Sequence, residues 1–280
     1  MPSFDSSTSP LVHLQDVHLA FGHNQVLNGI DLQVHRGQAV SIIGPSGSGK
    51  STILRCITGL LKPHSGKIVL GDTDVRALKS EAELTGLRKR VGFVFQQYNL
   101  FPHLTVLDNL TLAPVRILGK DKQSAQREAR ALLERVRLGG KADAYPGQLS
   151  GGQQQRVAIA RALAMQPELI LFDEVTSALD PETVGEVLTV IRQLVDDGMT
   201  CLLVTHEMRF AEEISDQVYF TEAGLIVEHG PAERIFSAPE SERTRSFLTR
   251  ALNGDAQAAQ QRRNKISFAS LPFDRLKFSI

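Results

Sequence analysis

The stretch Gly44-Pro45-Ser46-Gly47-Ser48-Gly49-Lys50-Ser51-Thr52 meets every fixed position of the pattern G-x-x-x-x-G-K-[ST]. Its chemistry is the holding of phosphate. Three glycines allow the main chain to turn with its amide hydrogens inward, and those amides, with the positive end of a following helix, bind phosphate oxygens. Lys50 is expected to reach the β- and γ-phosphates, Ser51 to place its hydroxyl on Mg²⁺, and Thr52 to lie near the α-phosphate. The flanks have the character the motif requires. The apolar run 38–43 reads as a buried strand before it, and Ile53, Leu54, Ile57, Leu60 and Leu61 recur with helical spacing after it.

Further residues with the means to act on a nucleotide stand at the ends of apolar runs. Val91-Gly-Phe-Val-Phe95 leads into Gln96, whose amide is able to ligate Mg²⁺ or orient a water. Leu169-Ile-Leu-Phe172 is a continuous apolar run of the kind buried on both faces of a parallel sheet, and it ends in Asp173-Glu174. Asp173 is expected in the Mg²⁺ shell and Glu174 beside an attacking water. The run 200–205 delivers His206 to a strand end, where its imidazole is able to hydrogen-bond a γ-phosphate. Leu149-Ser150-Gly151-Gly152-Gln153 opens a helical stretch. Ser150 is a good N-cap, but two glycines in a first turn are costly, about 1 kcal/mol each in a helix interior. A second anion-binding surface at that helix start would compensate. Phe21, on a β-patterned segment well before the phosphate loop, offers an aromatic face for an adenine base.

The elements that must position these residues are legible in outline. Val17, Leu19 and Phe21 alternate, Gly22-His-Asn24 turns, and Ile30, Leu32 and Val34 alternate again, giving a β-rich N-terminal part. Ala125, Ala129, Leu132 and Val136 mark a helix over Lys122 to Arg137, part of an inserted helical subdomain at about 101–165. Ser177-Ala178-Leu179-Asp180 and Pro181 lead into a helix with Val184, Val187, Leu188, Ile191 and Leu194 on one face. A hairpin is expected over 218–227. Residues 1–10 read as a disordered leader and 251–280 as a tail without a motif. Leu100, Phe101 and Leu104 form an apolar segment expected to be exposed at the edge of the helical subdomain, as a docking surface.

Composition narrows the partners. The 31 Lys+Arg residues balance 31 Asp+Glu among 280, so there is no bulk basic field of the kind nucleic acid selects. No apolar stretch approaches the roughly 18 residues of a membrane span, and no basic n-region precedes an apolar h-region at the N-terminus. The expectation is a chain made and kept in the cytoplasm. Cys56 and Cys201 sit in apolar patterns and read as small core residues.

Taken in order, the phosphate loop, Gln96, Leu149 to Gln153, Asp173-Glu174, Ser177 to Asp180 and His206 resemble the ATP-binding subunit of an ABC transporter, over about residues 11–250. The resemblance implies an α/β fold: a P-loop NTPase, RecA-like core with an antiparallel β subdomain and an inserted helical subdomain. It implies ATP and Mg²⁺, and hydrolysis with Glu174, His206 and Gln96 as catalytic residues and Ser51, Gln96 and Asp173 at the metal. It also implies a sandwich of two copies, with each ATP between one copy's phosphate loop and the other's Leu149 to Gln153, and with Ser177, Ala178, Leu179 and Asp180 at the dimer interface. Two anion-binding surfaces roughly 100 residues apart in one chain agree with that sharing. Val175 departs from the pattern, in which proline commonly follows the acidic pair. Segments 97–105, 172–182 with 184–187, and 236–240 with 243–248 look like the polar amino-acid uptake branch, which implies two transmembrane permease subunits, an extracytoplasmic substrate-binding protein and a place at the cytoplasmic face of the cell membrane. An exporter or lipoprotein-extruding ATPase, and a soluble non-transport ATPase of the same family, are the alternatives. A small-molecule kinase would share the phosphate loop but has no use for residues 149–153.

Overall fold

The structure, a computed structural model, describes residues 9–253; most of the expected leader and most of the C-terminal tail lie outside them. The strands are β1 (Val12–Phe21), β2 (Asn24–Val34), β3 (Ala39–Ile43), β4 (Ser65–Leu70), β5 (Thr73–Asp74), β6 (Val91–Val94), β7 (Leu169–Asp173), β8 (Cys201–Val204), β9 (Gln217–Glu222) and β10 (Leu225–Pro231). The helices are α1 (Lys50–Ile57), α2 (Glu81–Lys89), α3 (Val106–Leu118), α4 (Lys122–Arg135), α5 (Gly151–Leu163), α6 (Pro181–Asp196), α7 (Met208–Ile214), α8 (Ala232–Ser237) and α9 (242–253).

Two sheets result. One is antiparallel with order β2-β1-β4-β5; the other has order β10-β9-β3-β8-β7-β6 and is parallel except for β10. β3, β7 and β8 are buried along their whole length, as parallel strands covered on both faces must be. Period-two alternation divides their side chains. Ile170, Phe172, Cys201 and Leu203 join a core formed with α3 to α6, whereas Leu169, Leu171, Leu202 and Val204 join one formed with α1 and the antiparallel sheet. Cys56 and Cys201 are free and fully buried, and burial pushes both thiols up to about 12.

Register brings the chemistry to one edge. Ile42 and Asp173 both lie opposite Val204, and Val94 lies opposite Phe172. Gly44, Gln96 and His206 each follow two residues beyond these positions. The C-terminal ends of β3, β6, β7 and β8 therefore open on the same side, where ligands of such sheets bind.

α2 and α3 have no counterpart in the periodicity reading. α2 starts in a capping box of Ser80 and Glu83, whose hydrogen bonds from Lys79 and Ser80 hold the Glu83 carboxyl down at about 2. α3 is capped by Thr105 and stopped by Gly119 at φ 67, and it carries Pro114 within it. Buried Asn109 donates to the carbonyls of Phe101, Leu104 and Thr105 and accepts from Phe101 N, which ties loop 101–105 to α3.

Candidate functional site

The phosphate loop is shaped by close approaches on two flanks. Gly44 has φ 147, and a β-carbon there would lie 2.1 Å from the main-chain oxygen of Thr221 on β9. Gly49, at φ 98, is the N-cap of α1 and stands where a β-carbon would meet Leu27 at 2.7 Å and Val26 O at 2.9 Å. No side chain caps α1, so its first amides face the loop unpaired by a cap. Phe21 pairs with Asn24, two residues before Val26, which puts the β1–β2 turn on the loop's β2 flank; Phe21 is 53% exposed.

Lys50 is buried and donates from Nζ to Gly44 O and Pro45 O, both at 2.9 Å. Burial lowers its pKa, against the opposing pull of Glu174 and Asp173. Ser51 Oγ donates to Asp173 Oδ1 at 2.5 Å. Burial raises the Asp173 pKa, while the Ser51 hydrogen bond and the Arg55 guanidinium, 3.9 Å away, oppose the rise. Arg55 was not singled out from the sequence, although it lies one helical turn after Ser51 and so on the same face. His206 Nε2 stands 2.9 Å from Glu174 Oε1. That hydrogen bond is the largest cause holding the Glu174 carboxyl below its ordinary value, so the group is an anion at neutral pH. Glu174 sits at φ 49, and Val175 is buried in the helical core. Gln96 is exposed just beyond β6.

Ser150 caps α5 in a capping box: its hydroxyl accepts from Gln153 N at 3.3 Å, and Gln153 Oε1 accepts from Ser150 N at 3.1 Å. The two glycines have a steric reason within the chain. A β-carbon on Gly152 would lie 2.8 Å from Thr183 Cβ, and one on Gly151 would lie 2.6 Å from Tyr98 Oη and 3.3 Å from Leu179. α5 is tied to the Gln96 loop along its length. Gln155, fully buried, donates to Phe95 O at 3.2 Å, and Arg161 donates to Asn99 O at 2.7 Å and Tyr98 O at 3.3 Å. Neither residue has a local sequence signal, because their partners lie some 60 positions away. Asp180 precedes α6 without a side-chain cap, and Pro181 takes the first helical position.

The apolar segment before α3 differs from expectation. Leu100 and Leu104 are part-buried, Leu100 against the helical core, and Phe101 alone of the three is exposed, at 42%. Phe101 stacks under Arg161 at 5.8 Å and borders a groove of about 370 Å³ with Phe93, Asn99, Leu112 and Met165. Among the described residues, no helix is long and apolar enough to cross a membrane.

The family model described as ABC transporter matches residues 27–177. The chain is 50% identical over 245 residues to the L-cystine import ATP-binding protein of Bacillus subtilis (strain 168), covering 87% of this chain and 99% of that one. It is 49% identical over 243 residues to the glutamine transport ATP-binding protein of Geobacillus stearothermophilus, covering 87% and 100%. Among solved structures, a dimeric ATP-binding cassette in a post-hydrolysis state with ADP and phosphate superposes with a TM-score of 0.71 at 36% identity, covering 79% of this chain and 98% of that one. With a P-loop NTPase fold and these relatives over nearly their whole length, the chain belongs to the ABC transporter family and is an ATP-hydrolysing member of it.

Proposed function

We propose that the chain is the ATP-hydrolysing subunit that energises a polar amino-acid importer. The observation that carries the catalytic part is the pair of contacts at one sheet edge, Ser51 with Asp173 and Glu174 with His206. The relatives named for cystine and glutamine transport support the substrate class. Lys50 leaves the two carbonyls it now holds and offsets charge on the β- and γ-phosphates, with the loop amides around them. Ser51 and Asp173 are oxygen donors already converging in a buried position, which fits Mg²⁺, a cation that takes few protein ligands besides phosphates. Among the described residues no group of three or more His, Cys, Asp or Glu gathers as an all-protein cage, in keeping with that mode. When bound, the cation neutralises charge on the phosphate oxygens. Gln96 completes its surroundings and links them to the helical subdomain.

Glu174, ionised, accepts a hydrogen bond from the attacking water and polarises it toward the γ-phosphorus, whose bond to the β,γ-bridging oxygen breaks as ADP leaves. His206 exchanges its present contact with Glu174 for the γ-phosphate and so reports its presence. Phe21 stacks on the adenine. A second copy contributes Leu149 to Gln153, and Ser177 to Asp180 line the contact between copies. Two transmembrane permease subunits dock at the groove beside Phe101, which holds the chain at the cytoplasmic face of the membrane, and an extracytoplasmic binding protein delivers the substrate.

The test is Glu174→Gln, which slows chemistry while leaving ATP binding intact. Size-exclusion chromatography with light scattering should give a dimer with ATP and a monomer with ADP, and adding Ser150→Arg should abolish the dimer while ATP still binds. An ATP-loaded Glu174→Gln monomer would overturn the shared site.

A further inference from the structure

The phosphate loop rests on a side chain that belongs to none of the motifs. Thr221 is fully buried on β9, which runs parallel to β3 with Phe220 opposite Ile43. Its hydroxyl has two partners. It donates to the main-chain oxygen of Ile43 at 3.2 Å, and it lies 2.8 Å from the hydroxyl of Ser48. A hydroxyl has one proton and two lone pairs, so with the Thr221 proton given to Ile43 O, Ser48 donates to Thr221 Oγ1. Ile43 is the residue from which the loop departs, and Ser48 is where it turns into α1. One side chain therefore touches the loop at both ends. The Thr221 main chain adds a third contact, since a β-carbon on Gly44 would stand 2.1 Å from its carbonyl oxygen.

We propose that Thr221 is a positioning residue for ATP. By fixing Ser48 it holds the turn in which Ser48 N donates to Pro45 O at 3.3 Å, and with it the shape of the loop, before the nucleotide arrives. A loop free to turn at Ser48 would have to be ordered on binding, and that cost would appear as weaker affinity. The inference rests on the assignment of this loop as the ATP phosphate site. The water-polarising Glu174 follows the end of β7, which β3 and β8 separate from β9, so the contribution of Thr221 is uniform binding, felt in KM and the dissociation constant and not in kcat.

The test uses the full chain, with MgATP affinity from isothermal titration calorimetry and steady-state kcat and KM. Thr221→Val keeps the shape and removes the hydroxyl. Its ATP dissociation constant should rise roughly three- to tenfold, the net worth of the Ser48 hydrogen bond that fixes the loop, with KM rising in step and kcat within about twofold. Thr221→Ser should restore wild-type affinity. Ser48→Ala should weaken ATP similarly, and the double variant Thr221→Val with Ser48→Ala should bind no worse than Thr221→Val alone, because the Ser48–Thr221 hydrogen bond is lost in each. Wild-type affinity in Thr221→Val, failure of Thr221→Ser to restore it, or losses that multiply in the double variant would overturn the proposal. Lys50→Ala separates the two levels. Unchanged ATP binding there would remove the phosphate-loop assignment itself, whereas lost binding there beside an unaffected Thr221→Val would remove only the role of Thr221.

Discussion

Gly151→Ala tests the steric account of the glycine pair that opens α5. Alanine in place of a helical glycine gains up to about 1 kcal/mol, and in a first turn roughly half of that. Against this, the new β-carbon would lie 2.6 Å from Tyr98 Oη and 3.3 Å from Leu179. Turning Tyr98 away or shifting α5 costs about 1–3 kcal/mol, as overpacking does. The single variant should therefore lose about 0.5–2.5 kcal/mol. In a Tyr98→Phe background the hydroxyl is gone, and the nearest aromatic atom becomes Cζ at 3.6 Å, an ordinary contact. There Gly151→Ala should gain about 0.5 kcal/mol, a coupling of about 1–3 kcal/mol between the two positions. Urea unfolding of wild type, both single variants and the double variant measures it, with equal slopes confirming a common two-state reference. If Gly151→Ala costs the same in both backgrounds, Tyr98 does not impose the glycine and the contact described here is not the reason for it.

Two further outcomes follow from the site and its surroundings. His206→Ala removes the largest influence depressing the Glu174 carboxyl. A carboxyl depressed in the folded state contributes stability that is present above its unfolded pKa of about 4.3 and is lost as pH falls through the lower folded value. The wild-type advantage over His206→Ala, no more than about 1 kcal/mol for so exposed a pair, should shrink as the pH falls below about 5; an advantage that grows there would contradict the assignment. Phe101→Asp should leave stability within about 1 kcal/mol, since Phe101 is 42% exposed, yet abolish co-purification with the cognate membrane subunits. Intact assembly in that variant would move the docking surface elsewhere.

Much of this architecture was legible because local patterns report burial. The strand into the phosphate loop, the doubly buried run 169–172, the alternation of β1 and β2, the β9–β10 hairpin and the Ser150 cap each express a period or a conformational demand within a few residues. α2 was not legible because it is short and buries only Leu87. α3 was not because Pro114 breaks its pattern and apolar residues surround its axis. Leu100 packs against a core gathered from β6 and α3 through α6, most of which no local window contains.

The sequence by itself determined which residues have the means to bind phosphate and polarise water, because glycine conformations, a lysine after a turn and carboxylates at strand ends are chemical properties of the residues themselves. Only the tertiary structure decided which of them meet. Strand order β9-β3-β8-β7-β6 sets His206 on Glu174 across 32 positions, Ser51 on Asp173 across 122 and Thr221 under Ser48 across 173. Such pairings follow from which buried strands lie side by side, a choice made by the packing of the whole core and not by the period of any one segment.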